Sequence, residues 1–194
     1  MTAPSSGTAP TVREARAQYF AANGFDERGY ADRWVRLQAG PIPLFIPNTR
    51  SRVRAVRVHD VHHVVTGYAT TFAGEAEIGA WEIASGCADH GAAWVLNLLA
   101  MPIGLVRVPR ATFRAFVRGR HTQNLYRRSI DDTVLDRPVA DLIRDLDLDY
   151  PIARATTADI AAFVCWSLLG VATFAVALAA TLGPIAAFLA LLLR

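Results

Sequence analysis

The chain has 194 residues, which is enough for one globular domain with its own hydrophobic core. Its formal net charge is only +3 and it carries no recognisable base-reading motif, so composition argues against a nucleic-acid-binding protein. Cys87 and Cys165 lie far apart and belong to no C-x-x-C pair, which argues against a disulfide framework or a cysteine zinc site. We expect both to be small buried hydrophobic residues.

The N-terminal quarter predicts short helices and an extended connection. Residues 1–11 are small and polar, and we expect a disordered lead there. Thr11 is a suitable N-cap for a helix that the Asn23-Gly24 pair would end. A second helical piece is predicted around residues 30–37. Residues 40–49 contain three prolines and favour an extended segment, because proline lacks an N–H donor and disfavours helix before it.

The middle of the chain has apolar residues at helical spacing. From about residue 52 to residue 85 the pattern predicts two helices with a break near Thr66-Gly67. The apolar segment 92–106 is interrupted by Met101-Pro102 and is too short for a membrane span. We predict a buried helix or a lipid-facing groove there.

A basic helix and an acidic segment follow. Pro109 is suited to the first turn of a helix, which would place Arg110, Arg114 and Arg118 on one face. This face would be solvated or would meet an anionic membrane surface. Between residues 131 and 149, seven aspartates surround a predicted short amphipathic helix.

The C-terminal tail is the strongest structural signal. From Ile160 to Leu193 it contains no charged residue, and such a run is the usual signature of a transmembrane helix. We predict one span near residues 160–182, with Gly183-Pro184 as the place where the run would bend. The residues after that could complete a hairpin, lie at the interface or extend the helix. A buried helix inside a homo-oligomer is the alternative.

These patterns predict an all-α protein with three parts. The lead at residues 1–11 precedes a compact helical domain at residues 12–156, and a hydrophobic membrane anchor with a transmembrane helix occupies residues 157–194. The N-terminus has no charged region followed by an apolar stretch, so no secretory signal is predicted and the domain should stay in the cytoplasm. Every basic residue is arginine, which is typical of a GC-rich bacterial genome. We therefore expect a bacterial cytoplasmic membrane, with the domain on its cytoplasmic side.

Residues 59–63 read HDVHH, and Glu75 follows His63 after eleven intervening residues. On a helix, His59 and His63 are one turn apart on the same face, so their imidazoles can bind one metal ion. Glu75 can return from the next helix as an oxygen ligand. Asp60 is rotated by about a quarter turn and could be a fourth ligand or could fix the orientation of an imidazole. A set of nitrogen and oxygen ligands suits zinc, iron or manganese without deciding among them.

The spacing alone leaves other interpretations open. Two histidines beside an aspartate also occur on helices by chance, and an HD pair begins motifs of unrelated metal-dependent phosphohydrolases. Such an enzyme would need further ligands, and downstream the chain offers His90, His121 and scattered aspartates. Glu77, Glu82 and His62 are additional candidates for proton transfer, although each also fits a structural polar residue.

The stretch HDVHHVVTGYATTFAGEAEIGAWE resembles the signature of the coenzyme Q biosynthesis protein 4 family. That motif is H-D-x-x-H-x11-E, with a glycine before the glutamate and an aromatic-glutamate pair shortly after it. The corresponding residues here are Gly67, Gly74, Glu75, Trp81 and Glu82. A weaker likeness continues through Gly119-Arg120 to LDRPVADLIRDLDLD, so the resemblance spans roughly residues 15–150.

The resemblance implies metal ligation by His59, Asp60, His63 and Glu75, which are then also the candidate catalytic residues. It implies a helical, membrane-associated protein that uses a divalent metal to remove the ring carboxylate of a prenylated aromatic lipid oxidatively, a lyase-type step of ubiquinone (coenzyme Q) or related quinone synthesis. Other quinone-biosynthesis proteins are implied as partners. The alternative is a non-catalytic scaffold that binds the prenyl lipid and organises the biosynthetic complex. The apolar C-terminal anchor departs from the family pattern.

Overall fold

A computed structural model describes residues 9–39, 42–152 and 154–192. The described residues form helices and one small sheet, which confirms the predicted all-α class. The helices are α1 (Val12–Asn23), α2 (Arg50–Thr66), α3 (Phe72–Ser85), α4 (Gly91–Arg107), α5 (Pro109–Arg120), α6 (Asp132–Leu135), α7 (Val139–Asp145) and α8 (Thr157–Leu192). Of the predicted lead, residues 1–8 lie outside the described part. Thr11 forms a backbone bridge with Pro138.

The segment before α2 contains the only sheet among the described residues. Thr11 caps α1 as predicted, in a capping box with Glu14. A 3-10 helix covers Glu27–Tyr30, and strand β1 (Trp34–Ala39) pairs antiparallel with β2 (Ile42–Pro47). The helix predicted at residues 30–37 is therefore wrong. The described part of the proline-rich segment is extended as predicted, since residues 42–47 form β2. The pattern of residues 34–39 does not by itself reveal that this strand pairs with them.

Helices α2 and α3 are joined by a tight connection. Helix α2 ends before Gly67, and Thr71 caps α3 by accepting a hydrogen bond from the backbone N–H of Gly74. A Cβ atom at Gly74 would lie 2.0 Å from the carbonyl oxygen of Ala69. Glycine is therefore required at this position, because any side chain would push the first turn of α3 away from the end of α2.

The core lies where α3 packs among α2, α4 and α5. Trp81, Ile78 and Phe116 are its largest fully buried side chains. The indole N–H of Trp81 donates to the hydroxyl of Thr122 at 2.9 Å, so this large ring is buried with its polar atom satisfied. The short amphipathic helix predicted in the acidic segment is α7, and it buries Leu142.

Helix α4 continues through Pro102 as one helix of 17 residues. Pro102 has no N–H to donate to the carbonyl of Leu98, one turn earlier. That carbonyl faces α8 instead, since a Cβ atom at Gly170 would lie 3.1 Å from it and 2.9 Å from the Cβ of Met101. The absence of a side chain at residue 170 thus allows α8 to pack closely on α4.

Helices α4 and α8 run in the same direction. Trp166 stacks on Trp94 with 5.1 Å between ring centroids, and four residues later Gly170 meets Met101. Further toward its N-terminus, α8 is fixed to the C-terminal end of α5 by Asp159, which accepts hydrogen bonds from Arg120 at 3.2 Å and from His121 at 3.0 Å. Beyond Gly170, α8 therefore extends toward the end of the bundle where α4 ends and α5 begins.

Helix α8 has 36 residues and a length of about 54 Å. Its segment Thr157–Pro184 is long and apolar enough to cross a membrane, and only 6% of its most apolar window is buried in the chain. The helix passes through Gly183-Pro184 without a break to Leu192. Cys87 is buried as predicted, but the same expectation for Cys165 is wrong because Cys165 is exposed on α8.

Candidate metal centre

Three of the four predicted ligands converge between α2 and α3. The Nε2 atoms of His59 and His63 lie 3.1 Å apart. Oε2 of Glu75 lies 3.5 Å from Nε2 of His59, and Oε1 of Glu75 lies 3.4 Å from Nε2 of His63. Ligands held at about 2.1 Å from one metal ion are separated by about 3.0–3.4 Å, depending on the bond angle. His59, His63 and Glu75 therefore form a group that could hold a metal ion.

Both imidazoles are oriented by an acceptor on the side away from this group. Nδ1 of His59 lies 2.9 Å from Oε1 of Glu82, and Nδ1 of His63 lies 2.8 Å from the carbonyl oxygen of Tyr68. An ionised carboxylate and a carbonyl only accept hydrogen bonds, so each Nδ1 carries the hydrogen. In the neutral imidazole, Nε2 is then unprotonated and directs its lone pair toward Glu75 and the other histidine.

Three electron-rich groups in this arrangement repel one another unless a cation lies among them. A proton shared between the imidazoles is one such cation, and a divalent metal is another. Burial opposes protonation of His59, but the negative charges of Glu82 and Glu75 raise its pKa well above the ordinary value of 6.5. Although burial also opposes ionisation of Glu75, its hydrogen bonds with His59 and His63 lower its pKa to about 2. The group thus attracts positive charge strongly.

Asp60 lies apart from this group. Its carboxylate accepts a hydrogen bond from the hydroxyl of Tyr30 and does not belong to the described atoms that lie within 4.8 Å of one another. Burial raises the pKa of Asp60 above its usual value. Asp60 follows His59 by one residue, so its Cβ points to a different face of α2. Metal ligation by Asp60 stays a prediction.

Glu82 is the most connected polar residue of the site. Its side chain is 1% exposed and accepts four hydrogen bonds, two on each oxygen. The donors are His59 (2.9 Å), His62 (2.7 Å), Asn97 (2.7 Å) and Tyr126 (2.8 Å). Burial disfavours its charge, yet the nearby His59 and His62 lower its pKa well below 4.5. From sequence, its spacing from Glu75 was the available signal, because seven residues correspond to two turns on one helix face.

His62 is a structural link between α2 and the loop after α5. Its Nδ1 donates to Glu82, and its Nε2 accepts the backbone N–H of Leu125 at 3.0 Å. Burial lowers its pKa, which keeps the ring neutral. With both nitrogens occupied and no exposed surface, His62 is not placed to transfer protons to a substrate.

The group is open to a ligand from one side. The side chain of His63 is 1% exposed and that of His59 is 21% exposed, whereas the side chain of Glu75 is 46% exposed. Tyr19 of α1 stacks on the ring of His63, with 5.3 Å between centroids, and covers another side. Three protein ligands with one accessible side resemble the arrangement of catalytic metal sites, which keep coordination positions free.

The other predicted candidates lie elsewhere. His121 pairs with Asp159, and neither His121 nor His90 belongs to the metal-binding group found among the described residues. Glu77 is half-buried on α3 and likewise lies outside that group. On α5, Arg118 is not solvated as a whole, because its guanidinium donates to the carbonyl of Thr66 at 3.1 Å.

The site lies near the end of the bundle toward which α8 extends. Phe72 begins α3 one turn before Glu75, and the guanidinium of Arg107, the last residue of α4, lies 5.8 Å from its ring centroid. Phe72 and Val106 are exposed here, and Arg110 follows in the first turn of α5. The apolar Phe72 and the basic Arg107 thus lie beside the turn of α3 that carries Glu75.

No protein-family model, curated protein or solved structure matches this chain. The family resemblance of the HDVHH segment therefore remains a prediction.

Proposed function

We propose that this protein is a membrane-anchored, metal-dependent enzyme of prenylated-quinone synthesis. Its reaction is the oxidative removal of the ring carboxylate from a prenylated aromatic acid. One oxygen atom of dioxygen becomes the new ring hydroxyl, the carboxylate leaves as carbon dioxide, and an external two-electron donor with two protons reduces the other oxygen atom to water. The observation that carries the proposal is the convergence of His59, His63 and Glu75, with both imidazoles oriented by acceptors on their far side.

The membrane part of the proposal rests on α8. Arg107 and Arg110 lie at the bundle end that α8 passes after Gly170, and arginine is strongly disfavoured in the hydrocarbon core. We place these arginines at the headgroup level and the embedded part of α8 after Gly170. Residues 171–192 would then supply about 33 Å of helix, close to the thickness of a hydrocarbon core. The domain lies on the cytoplasmic side of a bacterial membrane in this proposal.

This orientation suits a substrate whose isoprenoid tail stays in the bilayer. The aromatic head would approach Glu75 past Phe72 and Val106, which are exposed and apolar. Arg107 and Arg110 supply positive charge for the substrate carboxylate or for anionic lipid headgroups. The groove predicted along residues 94–106 is partly filled, because α8 covers Trp94 and Met101.

The protein side chains have separate roles in the proposed reaction. His59, His63 and Glu75 would hold the divalent metal, which supplies Lewis acidity for the negative charge that develops on the ring as carbon dioxide leaves. Glu82 and the carbonyl of Tyr68 keep the imidazoles in the tautomer that can ligate. Asp60, held by Tyr30 apart from the three ligands, would be a fourth ligand after rotation of its side chain or a buried acid that donates a proton.

Lipid mass spectrometry of a strain that lacks this chain tests the function. We expect a prenylated aromatic acid to accumulate and the quinone to fall, with recovery when the unaltered chain is returned. Glu75→Gln keeps the shape of the side chain but weakens metal ligation, so it should fail to restore the quinone. Glu77→Gln, on the same helix and outside the metal-binding group, is the matched control and should restore it.

The same experiment separates the enzyme from a prenyl-lipid-binding scaffold. A scaffold needs the fold and the membrane anchor but not the ligand carboxylate, so Glu75→Gln would then restore the quinone fully. A strain with unchanged quinone content and no accumulated ring acid would contradict both functions.

A further inference from the structure

A second concave site lies at the opposite end of α4 from the metal centre's exposed side. It is a cleft of about 1200 Å³ formed by the base of the β-hairpin, the N-terminal half of α2, the turn before α4 and the loop after α5. Sites for small molecules usually have about 300–1,000 Å³. The cleft is therefore large enough for a small-molecule ligand.

Arginines from three separate segments line this cleft. They are Arg33, Arg50, Arg54, Arg57, Arg127 and Arg128. The acidic residues in the lining are Asp32 and Asp89, so six positive and two negative side chains leave a formal charge of +4 with His90 neutral. Burial, together with the nearby Arg54, lowers the pKa of His90 and keeps it neutral. The charge is concentrated here although the whole chain carries only +3.

Part of this positive charge has no counter-ion among the residues that the structure describes, although Arg128 pairs with Asp145 at 3.5 Å outside the cleft lining. Arg54 pairs with Asp89 at 3.0 Å, and the guanidinium of Arg57 lies 5.0 Å from the ring centroid of Tyr30. Within residues 9–39, 42–152 and 154–192, Arg50 and Arg127 have no acidic partner. Arg50 is also the first residue of α2, so the positive end of a 17-residue helix adds to the field in the cleft.

We propose that this cleft binds a soluble ligand with a diphosphate group. One guanidinium group can donate two parallel hydrogen bonds to two oxygens of a phosphate. A formal charge of +4 in the lining matches the charge of a diphosphate better than that of a single carboxylate. The cleft is lined by residues 88–90, immediately before α4, and the 17 residues of α4 separate it by about 25 Å from the end where α8 leaves the bundle. With α8 embedded after Gly170, as proposed above, free diphosphate or a nucleoside diphosphate can reach this position from water, whereas a lipid headgroup in that membrane cannot.

Calorimetric titration of the full chain in detergent with inorganic diphosphate tests the proposal. We expect one saturable site. Arg50→Glu and Arg127→Glu should each weaken binding by about tenfold or more, because each removes a phosphate contact and adds a repelling charge. Both side chains are exposed, so these variants should keep the circular dichroism of the unaltered protein. Absence of saturable binding would overturn the proposal.

Three controls identify where the anion binds. Arg110→Glu makes the same charge change at the other end of the bundle and should leave diphosphate affinity unchanged, so an equal loss would indicate general charge attraction. His63→Ala should also leave it unchanged, and loss there would assign the diphosphate to the metal centre. If soluble dioctanoyl phosphatidic acid binds more tightly than diphosphate, and Arg50→Glu abolishes the binding of phosphatidic acid, the ligand is a lipid headgroup. Each of these three results would refute the assignment.

Discussion

Oε1 of Glu82 lies 2.9 Å from Nδ1 of His59, and this contact turns the other nitrogen of the imidazole toward His63 and Glu75. A buried carboxylate behind a histidine fixes its tautomer and raises its basicity as a ligand. Glu82 therefore has two functions: it orients His59, and it accepts hydrogen bonds from Asn97 and Tyr126 in the core.

Replacing Glu82 should therefore weaken metal binding without removing any ligand. We expect Glu82→Gln to lower metal affinity by about 10- to 100-fold, because the amide can no longer accept from all four donors or stabilise a positive His59. Competition with a chromophoric chelator measures this affinity, with Glu77→Gln as the control. Glu82→Ala should in addition lower the free energy of unfolding by about 3–5 kcal/mol, since it leaves buried polar groups unpaired. Unchanged metal affinity in Glu82→Gln would contradict an orienting role.

His63→Ala should abolish bound metal and leave the helical content largely intact. The imidazole supplies one of three converging ligands, and its side chain contributes no helix hydrogen bond. Metal analysis of the purified protein and far-UV circular dichroism measure the two effects. His121→Ala, which alters a histidine outside the group, should retain the metal. Full metal occupancy in His63→Ala would reject the assignment.

Metal should stabilise the protein more at high pH than at low pH. Proton and metal compete for the imidazoles, while Glu75, with a pKa of about 2, stays ionised throughout. The increase in Tm on adding zinc should therefore be larger near about pH 8 than near about pH 6. Without metal the sign reverses for His59, whose raised pKa contributes stability that is present below its ordinary 6.5 and is lost as pH rises through the folded-state value. A metal effect that declines with pH would disagree with this site.

Gly170 and Gly183 should respond in opposite directions to the same substitution. A Cβ atom at Gly170 would meet Met101 at 2.9 Å, so Gly170→Ala should destabilise the packing of α8 on α4 by about 1–3 kcal/mol. Nothing lies within 4 Å of a Cβ at Gly183, so Gly183→Ala should have no such effect and should favour the helix. Fluorescence of the stacked Trp94 and Trp166 during unfolding in detergent reports the change. Equal stability of the two variants would argue against close packing at residue 170.

Cys165 offers a test of where the embedded part of α8 begins. If it begins after Gly170, the exposed Cys165 should react with a membrane-impermeant maleimide in vesicles, whereas the buried Cys87 should not. A cysteine introduced by Ala179→Cys, in the embedded part, should be protected until detergent is added. Protection of Cys165 would favour the span near residues 160–182 that the sequence alone predicts.

Local spacing predicted the parts of the site that belong to a single helix. His59 and His63 are one turn apart, and that alone aligns them. The return of Glu75 required a short connection after α2, which the turn residues indicated. Tyr30, which holds Asp60, ends a 3-10 helix 30 residues earlier in the chain, and no local pattern of the sequence places it against α2. Sequence also could not assign the surroundings of Glu82, because its donors come from α2, α4 and the loop after α5.

The same reason explains why α8 was predicted only as an apolar run. Hydropathy measures composition and does not register that Trp166 stacks on Trp94 or that Gly170 fits against Met101. The first turns of α8 thus pack against the helical domain. The predicted boundary at residue 160 did not anticipate this packing.

The four donors around Glu82 also bear on the order in which the chain assembles. They come from segments as distant as His59 and Tyr126, so this carboxylate can be buried only when α2, α3, α4 and the loop after α5 have already met. Metal binding depends on the orientation of His59, so the metal ion cannot direct the folding of the chain as the ion of a zinc finger does. The metal ion would bind after folding, to a domain that reaches its native topology without metal.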